Sequence, residues 1–391
     1  MRLILKELTN NKFKFSIFIF LLFLLIISVA RAFYLAQILS FDFHYSPAKL
    51  VSEGINHYRY TLDGYRDYAP NDRIMYDQNG VYAQGFFILL IPFTWLNWDS
   101  SKFLWSLVNI CLVIIIPILL CKKFQLSRSK TFIVLSIFLT STVFRIHISY
   151  GQQTLFCFFF LILPFFKNSN FTSILSGISY FKYNIGYVLF IYFLTLKKIN
   201  KLLLSLIPCI IGWLSYSLIT DTNIIKNLIE PIQTISFYET KNKLPVTILS
   251  FLKEFEVPSM AVILLSIIIS VIAIYKLRFR GNDLYKLSII CLVSLSFASH
   301  QLHDYILLLP LLILSIKNIN NFYSKINLIF IFYFFFFLRI LSFFFGFQPW
   351  EFPYGYFGYL NNFLTILILI FNLKYLSPVS FSLKKRNKLY D

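Results

Sequence analysis

Four polar islands interrupt an otherwise apolar chain, and each holds residue types able to do chemistry. Asp42 sits in Phe41-Asp42-Phe43-His44-Tyr45, immediately after the first long apolar run. A carboxylate at a membrane–water boundary is placed to meet a lipid-linked headgroup and to take a proton from a hydroxyl nucleophile. The plainer reading is an exposed Asp that caps a surface helix. The second island is Ser299-His300-Gln301-Leu302-His303-Asp304-Tyr305, between two strongly apolar runs. Ionisable groups there are costly unless they work. Two His and one Asp suit a metal ion, or phosphate binding by a His that Asp304 orients, or simply a polar helix junction; no HExxH signature accompanies them. The third island, Tyr150-Gly151-Gln152-Gln153, offers amides that bind a sugar or hold a broken helix together. The fourth is Lys182 in Tyr180-Phe181-Lys182-Tyr183-Asn184. It either snorkels to an interface or pairs with a phosphate inside a cavity. No Walker A, GxGxxG, GxSxG or kinase signature is present, so a nucleotide-binding fold is not supported.

Membrane helices must position these groups. Of 391 residues, 58% are hydrophobic and only 14% charged, with a mean hydropathy of +0.70. Soluble domains carry about 25% charged residues, so a water-soluble enzyme is excluded. Disorder and coiled coil are excluded by the absence of polar low-complexity tracts and sustained heptads. The five Cys fall in or beside apolar runs without paired spacing and read as packing. A net charge of +19 arises from 36 basic and 17 acidic residues. The basic ones lie in short tracts between apolar segments: Arg2, Lys6, Lys12 and Lys14, then KKINK at 197–201, KLRFRGNDLYK at 276–286 and KKRNK at 384–388. That is the positive-inside pattern, reinforced by anionic lipids, and not a nucleic-acid footprint.

The order of apolar and polar segments predicts a topology. A first span at 15–39 is too long for the apolar core of a signal peptide, although Ala30-Arg31-Ala32 is shaped like a cleavage site. It leads out to a first large loop at 41–84 that holds six of the 17 acids and seven Tyr, with a short surface helix expected at 46–60. Segments at 85–97, 103–120, 131–148 and 152–166 follow; the first and last are short for about 30 Å of hydrocarbon and are expected to be partial or re-entrant. A span at 171–196 returns to KKINK, and 202–219 leads out to a second large loop at 220–258. Spans near 259–275, 286–299, 303–316, 326–345 and 359–376 complete the chain, with both termini inside. The expectation is a single all-α polytopic domain over 1–391 with about 10–12 transmembrane helices and a structured first outer loop.

In this order the pieces resemble the GT-C glycosyltransferases, most closely glycosyltransferase family 87, also known as DUF2029. The resemblance runs from about 40 to 310. It rests on Asp42-Phe43 through Gly54 to Tyr58, on Val81-Tyr82-Ala83-Gln84-Gly85 followed by Pro92, on Gly151-Gln152, on Gly177 with Lys182, and on His300 through Tyr305. The chain departs from the family pattern at Ala83-Gln84, Gln153 and Asn184. The resemblance implies a GT-C fold and sugar transfer, often of mannose, from a polyprenyl-phosphate donor to a lipid or glycan acceptor at the periplasmic face of a bacterial inner membrane, with inversion. It makes Asp42 the general base. Lys182, His303 and His300 would balance the donor phosphate, while Tyr45, Gln152, Gln153 and Asp304 would contact sugar or acceptor. No metal or other cofactor is implied. A lipid-linked oligosaccharide flippase or transporter, or a polysaccharide polymerase, is the competing class. A transporter should show charges at mid-membrane and no large acidic first loop, and a polymerase should carry Arg and His in its large outer loops, which 220–258 lacks.

Overall fold

The computed structural model describes residues 12–62, 82–240, 259–279, 281–346 and 355–375, and these are almost entirely helical, with no strand among them. Residues 1–11, with Arg2 and Lys6, lie outside the described residues, as do Asp63, Asp67, Asp72, Asp77, Glu254, Glu256 and the 384–388 tract. The helices are α1 (Lys12–Ile38), α2 (Tyr45–Ser52), α3 (His57–Leu62), α4 (Gln84–Thr94), α5 (Trp98–Lys123), α6 (Arg128–Thr140), α7 (Thr142–Ser149), α8 (Thr154–Phe166) and α9 (Asn170–Ser176). They continue as α10 (Tyr183–Thr195), α11 (Ile199–Ile219), α12 (Ile224–Thr240), α13 (Ser259–Tyr275), α14 (Asp283–Phe297), α15 (Leu309–Lys317), α16 (Phe322–Phe332), α17 (Leu338–Phe345) and α18 (Gly355–Tyr375).

Length and apolarity make α1, α5 and α11 able to cross a bilayer singly, and α6 with α7 form a further candidate bent by 57°. The bend falls at Ser141, which leaves the helix to cap α7 by accepting from Phe144 N at 3.1 Å. Helix α4 has 11 residues and α8 has 13, so at 1.5 Å per residue each covers roughly 16–20 Å. Neither reaches across about 30 Å of hydrocarbon alone. The chain is an all-α polytopic membrane protein, with short and broken helices as the sequence of 85–97 and 152–166 predicts.

Besides the bend within 131–148, other expected segments differ in the structure: 303–316 opens as a 3-10 helix over Leu302–Leu308 before α15 begins. The run at 171–196 is not one helix: α9 tightens into a 3-10 turn at Gly177–Phe181, and Lys182 is extended (φ −106°, ψ 97°) before α10 begins. The surface helix expected at 46–60 is two helices, α2 and α3, separated by Gly54 at φ +80°. Neither helix is free on a surface, because Ala48, Val51 and Tyr58 are fully buried.

Two apolar clusters hold the assembly. The larger joins α6, α7, α8, α10, α14 and α15. Helix α14 is buried on nearly every side because α10, α13, α15 and α18 surround it, so its apolar residues are spread around the helix and not confined to one stripe. The smaller cluster lies under α2 and gathers Phe43, Phe86, Phe87, Trp105, Phe181 and Tyr216. Helices α4 and α11 cross at Gly85 and Gly212, where a Cβ on Gly212 would overlap the Gly85 backbone; such small-residue crossings are how membrane helices approach closely. At one end of the bundle, Lys130 donates to Lys317 O, Lys317 to Phe124 O and Lys123 to Phe166 O, at 2.8, 2.8 and 3.1 Å. These ammonium groups meet carbonyls left over at helix C-termini. The polar islands gather at the other ends of these helices.

Candidate active site

The Asp42 segment is held by a second loop more than a hundred residues away. After α1, Ser40 adopts φ +41°, its hydroxyl donates to Ala36 O at 2.6 Å, and its amide donates to Ser149 O at 2.9 Å. The Asp42 amide donates to Tyr150 O, also at 2.9 Å. Phe43 stacks on Trp105 with ring centroids 5.3 Å apart and on Trp98 at 5.9 Å, and aromatic pairs of this kind contribute about 0.5–1.5 kcal/mol each beyond their burial. The Trp105 indole donates to Gly151 O at 2.7 Å. Gly151 has φ +69°, and a Cβ there would sit 3.0 Å from the Phe43 Cβ, so the turn needs glycine both for its backbone and for space.

This frame sets Asp42 against the two glutamines. Gln152 Nε2 donates to the Asp42 carboxylate, and Gln153 Nε2 donates to the Asp42 carbonyl while lying 3.1 Å from His44 Nδ1. The carboxylate is partly exposed. The N-cap of α2 is His44, so Asp42 is not the helix cap that the plainer reading offered.

A second, buried cluster begins one residue after Gln153. Lys182 Nζ donates to Thr154 Oγ1 at 2.7 Å and to Asp304 Oδ1 at 2.8 Å. Thr154 also donates to Asp304 Oδ1. On the other carboxylate oxygen, His300 Nδ1 lies at 3.0 Å, and His303 Nε2 lies 3.5 Å from Oδ1. Asn184 Nδ2 donates to Ser299 O at 2.8 Å and reaches toward Asp304 Oδ2 at 3.5 Å. Lys182 and Asp304 are 4% and 2% exposed, so the lysine does not snorkel. It is the cationic half of a buried pair, which persists only because further donors and acceptors satisfy both partners. The break in the 171–196 run is what delivers it, since an uninterrupted helix would turn residue 182 with the helical period.

Tyr82 roofs the cluster. Lys182 Nζ lies 5.7 Å from the centre of its ring, and the His44 ring packs edge-on at 4.5 Å. Burial pushes the Tyr82 phenol well above its ordinary value, against the opposing pull of the Lys182 cation, so it is a neutral hydrogen-bonding group. The segment that follows α1 is anchored on its far side as well. Buried Glu230 of α12 accepts from Asn56 Nδ2 and Arg59 Nε, both at 2.7 Å, which clasps α3 to α12.

The run Gln152-Gln153-Thr154 therefore links a partly exposed carboxylate to a buried cation. Asp42, Gln152, Gln153, Lys182, His300, His303 and Asp304 come together. Tyr45 does not join them: its hydroxyl donates to Leu96 O at 2.8 Å and its ring packs on Trp98. Asp304 has both oxygens occupied by protein donors, so it orients Lys182 and His300. Thr154, Tyr82, His44 and His147 also belong here, and a chain with only five His gave a signal for the last two. All five are buried, and four of them line this site. Among the described residues no group of three or more His, Cys, Asp or Glu side chains is arranged to hold a metal ion.

A fixed carboxylate beside amides, with a buried ammonium and two imidazoles a few residues away, can accept a proton at one point and offset anionic charge at another. No curated protein and no solved structure matches the chain. The family model for glycosyltransferase family 87 does, over residues 81–300. That stretch is more than half of the sequence and contains Tyr82, Gln152, Gln153, Thr154, Lys182 and His300, though Asp42 precedes it and His303 and Asp304 follow it. On that match, with the all-α membrane fold around it, the chain belongs to glycosyltransferase family 87.

Proposed function

We propose that this glycosyltransferase moves a hexose, mannose being the first choice, from a polyprenyl-phosphate sugar to a lipid or glycan acceptor at the periplasmic face of a bacterial inner membrane. The observation that carries this reading is the pairing of a partly exposed Asp42, held by Gln152, with the buried Lys182–Asp304–His300 cluster that Thr154 joins to it. The acceptor hydroxyl gives its proton to the Asp42 carboxylate. Its oxygen attacks the anomeric carbon from the face opposite the phosphate, the bond from that carbon to the phosphate oxygen breaks, and polyprenyl phosphate leaves with inversion at the sugar. The leaving group is already good, so positioning and charge stabilisation suffice. Lys182, His300 and His303 offset the phosphate charge, and the amides of Gln152 and Gln153 hold sugar hydroxyls.

The test is transfer of radiolabel from a panel of polyprenyl-phosphate sugars to lipid and glycan acceptors by the purified protein in lipid. A labelled product of inverted configuration supports the reading. No transfer from any donor, with lipid-linked glycan moved across vesicles instead, would replace it by a flippase.

A further inference from the structure

His147, like His44, lines the site and has no part in the mechanism above. It lies on α7, five residues before Gln152, and is fully buried, with its ring centroid 6.4 Å from that of His303. Neither ring nitrogen has a hydrogen-bond partner among the described residues. An imidazole buried this way costs stability unless something supplies partners, and Leu or Phe would fill the same space without that cost.

The neighbouring groups show what kind of partner is lacking. The side-chain oxygens of Gln152, Gln153 and Asn184 are also buried and unpartnered. Their amides are not free to flip. Gln152 Nε2 is committed to the Asp42 carboxylate, Gln153 Nε2 to the Asp42 carbonyl, and Asn184 Nδ2 to Ser299 O. Each amide therefore presents a bare acceptor, and a neutral imidazole adds one acceptor and one donor. The deficit is one of donors. A phosphodiester has no proton to give and a prenyl chain offers nothing polar, whereas a sugar carries several hydroxyls that both donate and accept.

We propose that His147 is a sugar-recognising residue which, with the side-chain oxygens of Gln152, Gln153 and Asn184, forms a hydroxyl-binding subsite between Asp42 and Asp304. This rests on the transferase reading and extends it to the part of the donor that is recognised. One ring nitrogen accepts from a sugar hydroxyl and the other donates to a hydroxyl or ring oxygen. Specificity among sugars then depends on which hydroxyl reaches residue 147.

The experiment compares thermal unfolding of the full chain in nanodiscs with short-chain prenyl phosphate and with the same prenyl phosphate bearing the sugar. Wild type should be stabilised more by the sugar-bearing ligand. In His147→Leu that increment should vanish, with affinity for the sugar-bearing ligand at least about tenfold weaker, while the response to bare prenyl phosphate persists. His147→Gln, which keeps a donor and an acceptor, should restore part of the increment. Without ligand, His147→Leu should unfold no earlier than wild type, as expected when an unsatisfied polar group is removed. Equal responses of wild type to both ligands, or an increment that survives His147→Leu, would overturn the proposal. If the increment behaves as described but wild type transfers sugar from no donor, the transferase reading fails while the subsite stands.

Discussion

Replacing Lys182 by Met keeps an apolar stem of similar length and removes the ammonium 2.8 Å from Asp304. At an effective dielectric constant of 20, two unit charges at that separation attract by about 6 kcal/mol before desolvation is counted. Both partners are almost fully buried, so the lost attraction is not replaced by water. Asp304 would keep Thr154 and His300, yet its charge would stand uncompensated, and breaking a buried pair in this way costs about 3–5 kcal/mol. Asp304→Asn should be costly for the mirror-image reason. The double variant Lys182→Met with Asp304→Asn removes both charges together and should be more stable than either single variant, because a neutral replacement of a buried ion pair is often close to neutral in stability. Denaturant unfolding in micelles, followed by Trp fluorescence, supplies the three differences. Additive single effects, or a Lys182→Met cost below about 1 kcal/mol, would refute the reasoning. If the double variant recovers stability but not transfer, the ammonium acts on the substrate as well as on the fold.

Two further outcomes follow from the geometry around that pair. Gly151→Ala forces a left-handed backbone onto a residue with a Cβ and crowds Phe43, so it should cost about 1–2 kcal/mol; by shifting Asp42 it should lower turnover far more than donor affinity, read from kcat and KM separately. Glu230→Ala leaves Asn56 and Arg59 without their shared acceptor; because Arg59 is half exposed, the ion-pair part is below about 1 kcal/mol. The local effect should still appear as faster amide hydrogen exchange over α3 with exchange in α14 unchanged, and unchanged exchange over α3 would show that the clasp does not hold it.

Much of the site was legible because polar residues are scarce in this chain and expensive in a membrane. Asp42, Gln152, Lys182 and His300–Asp304 stand out by interrupting apolar runs, and the structure gathers them. What the sequence did not reveal are relations between distant segments. Nothing local to Lys182 says that Asp304, more than a hundred residues later, is its partner, so snorkelling was an equal reading until the break after Phe181 was seen. Ser141 reads as an ordinary polar residue in an apolar run, yet its side chain caps α7 and bends the 128–149 segment. The sequence of 46–60 predicts one short surface helix. It is two, because Gly54 breaks it and its apolar face meets α4 and α11 instead of lipid. His147 belongs to none of the four polar islands, and its complete burial with no partner for either ring nitrogen among the described residues marks it. Tyr45, one residue beyond His44, faces Trp98 and Leu96 because α2 has already turned away from Asp42.

The central claim is that the Asp42 carboxylate takes the proton of the acceptor hydroxyl. The direct measurement is the single-turnover rate of sugar transfer by wild type and by Asp42→Asn, with donor binding measured on the same preparations. The amide keeps the shape and a hydrogen bond to Gln152 but is no base. The account predicts a fall in rate of about 10²–10⁴-fold with donor affinity nearly unchanged. Transfer by Asp42→Asn at the wild-type rate would contradict it.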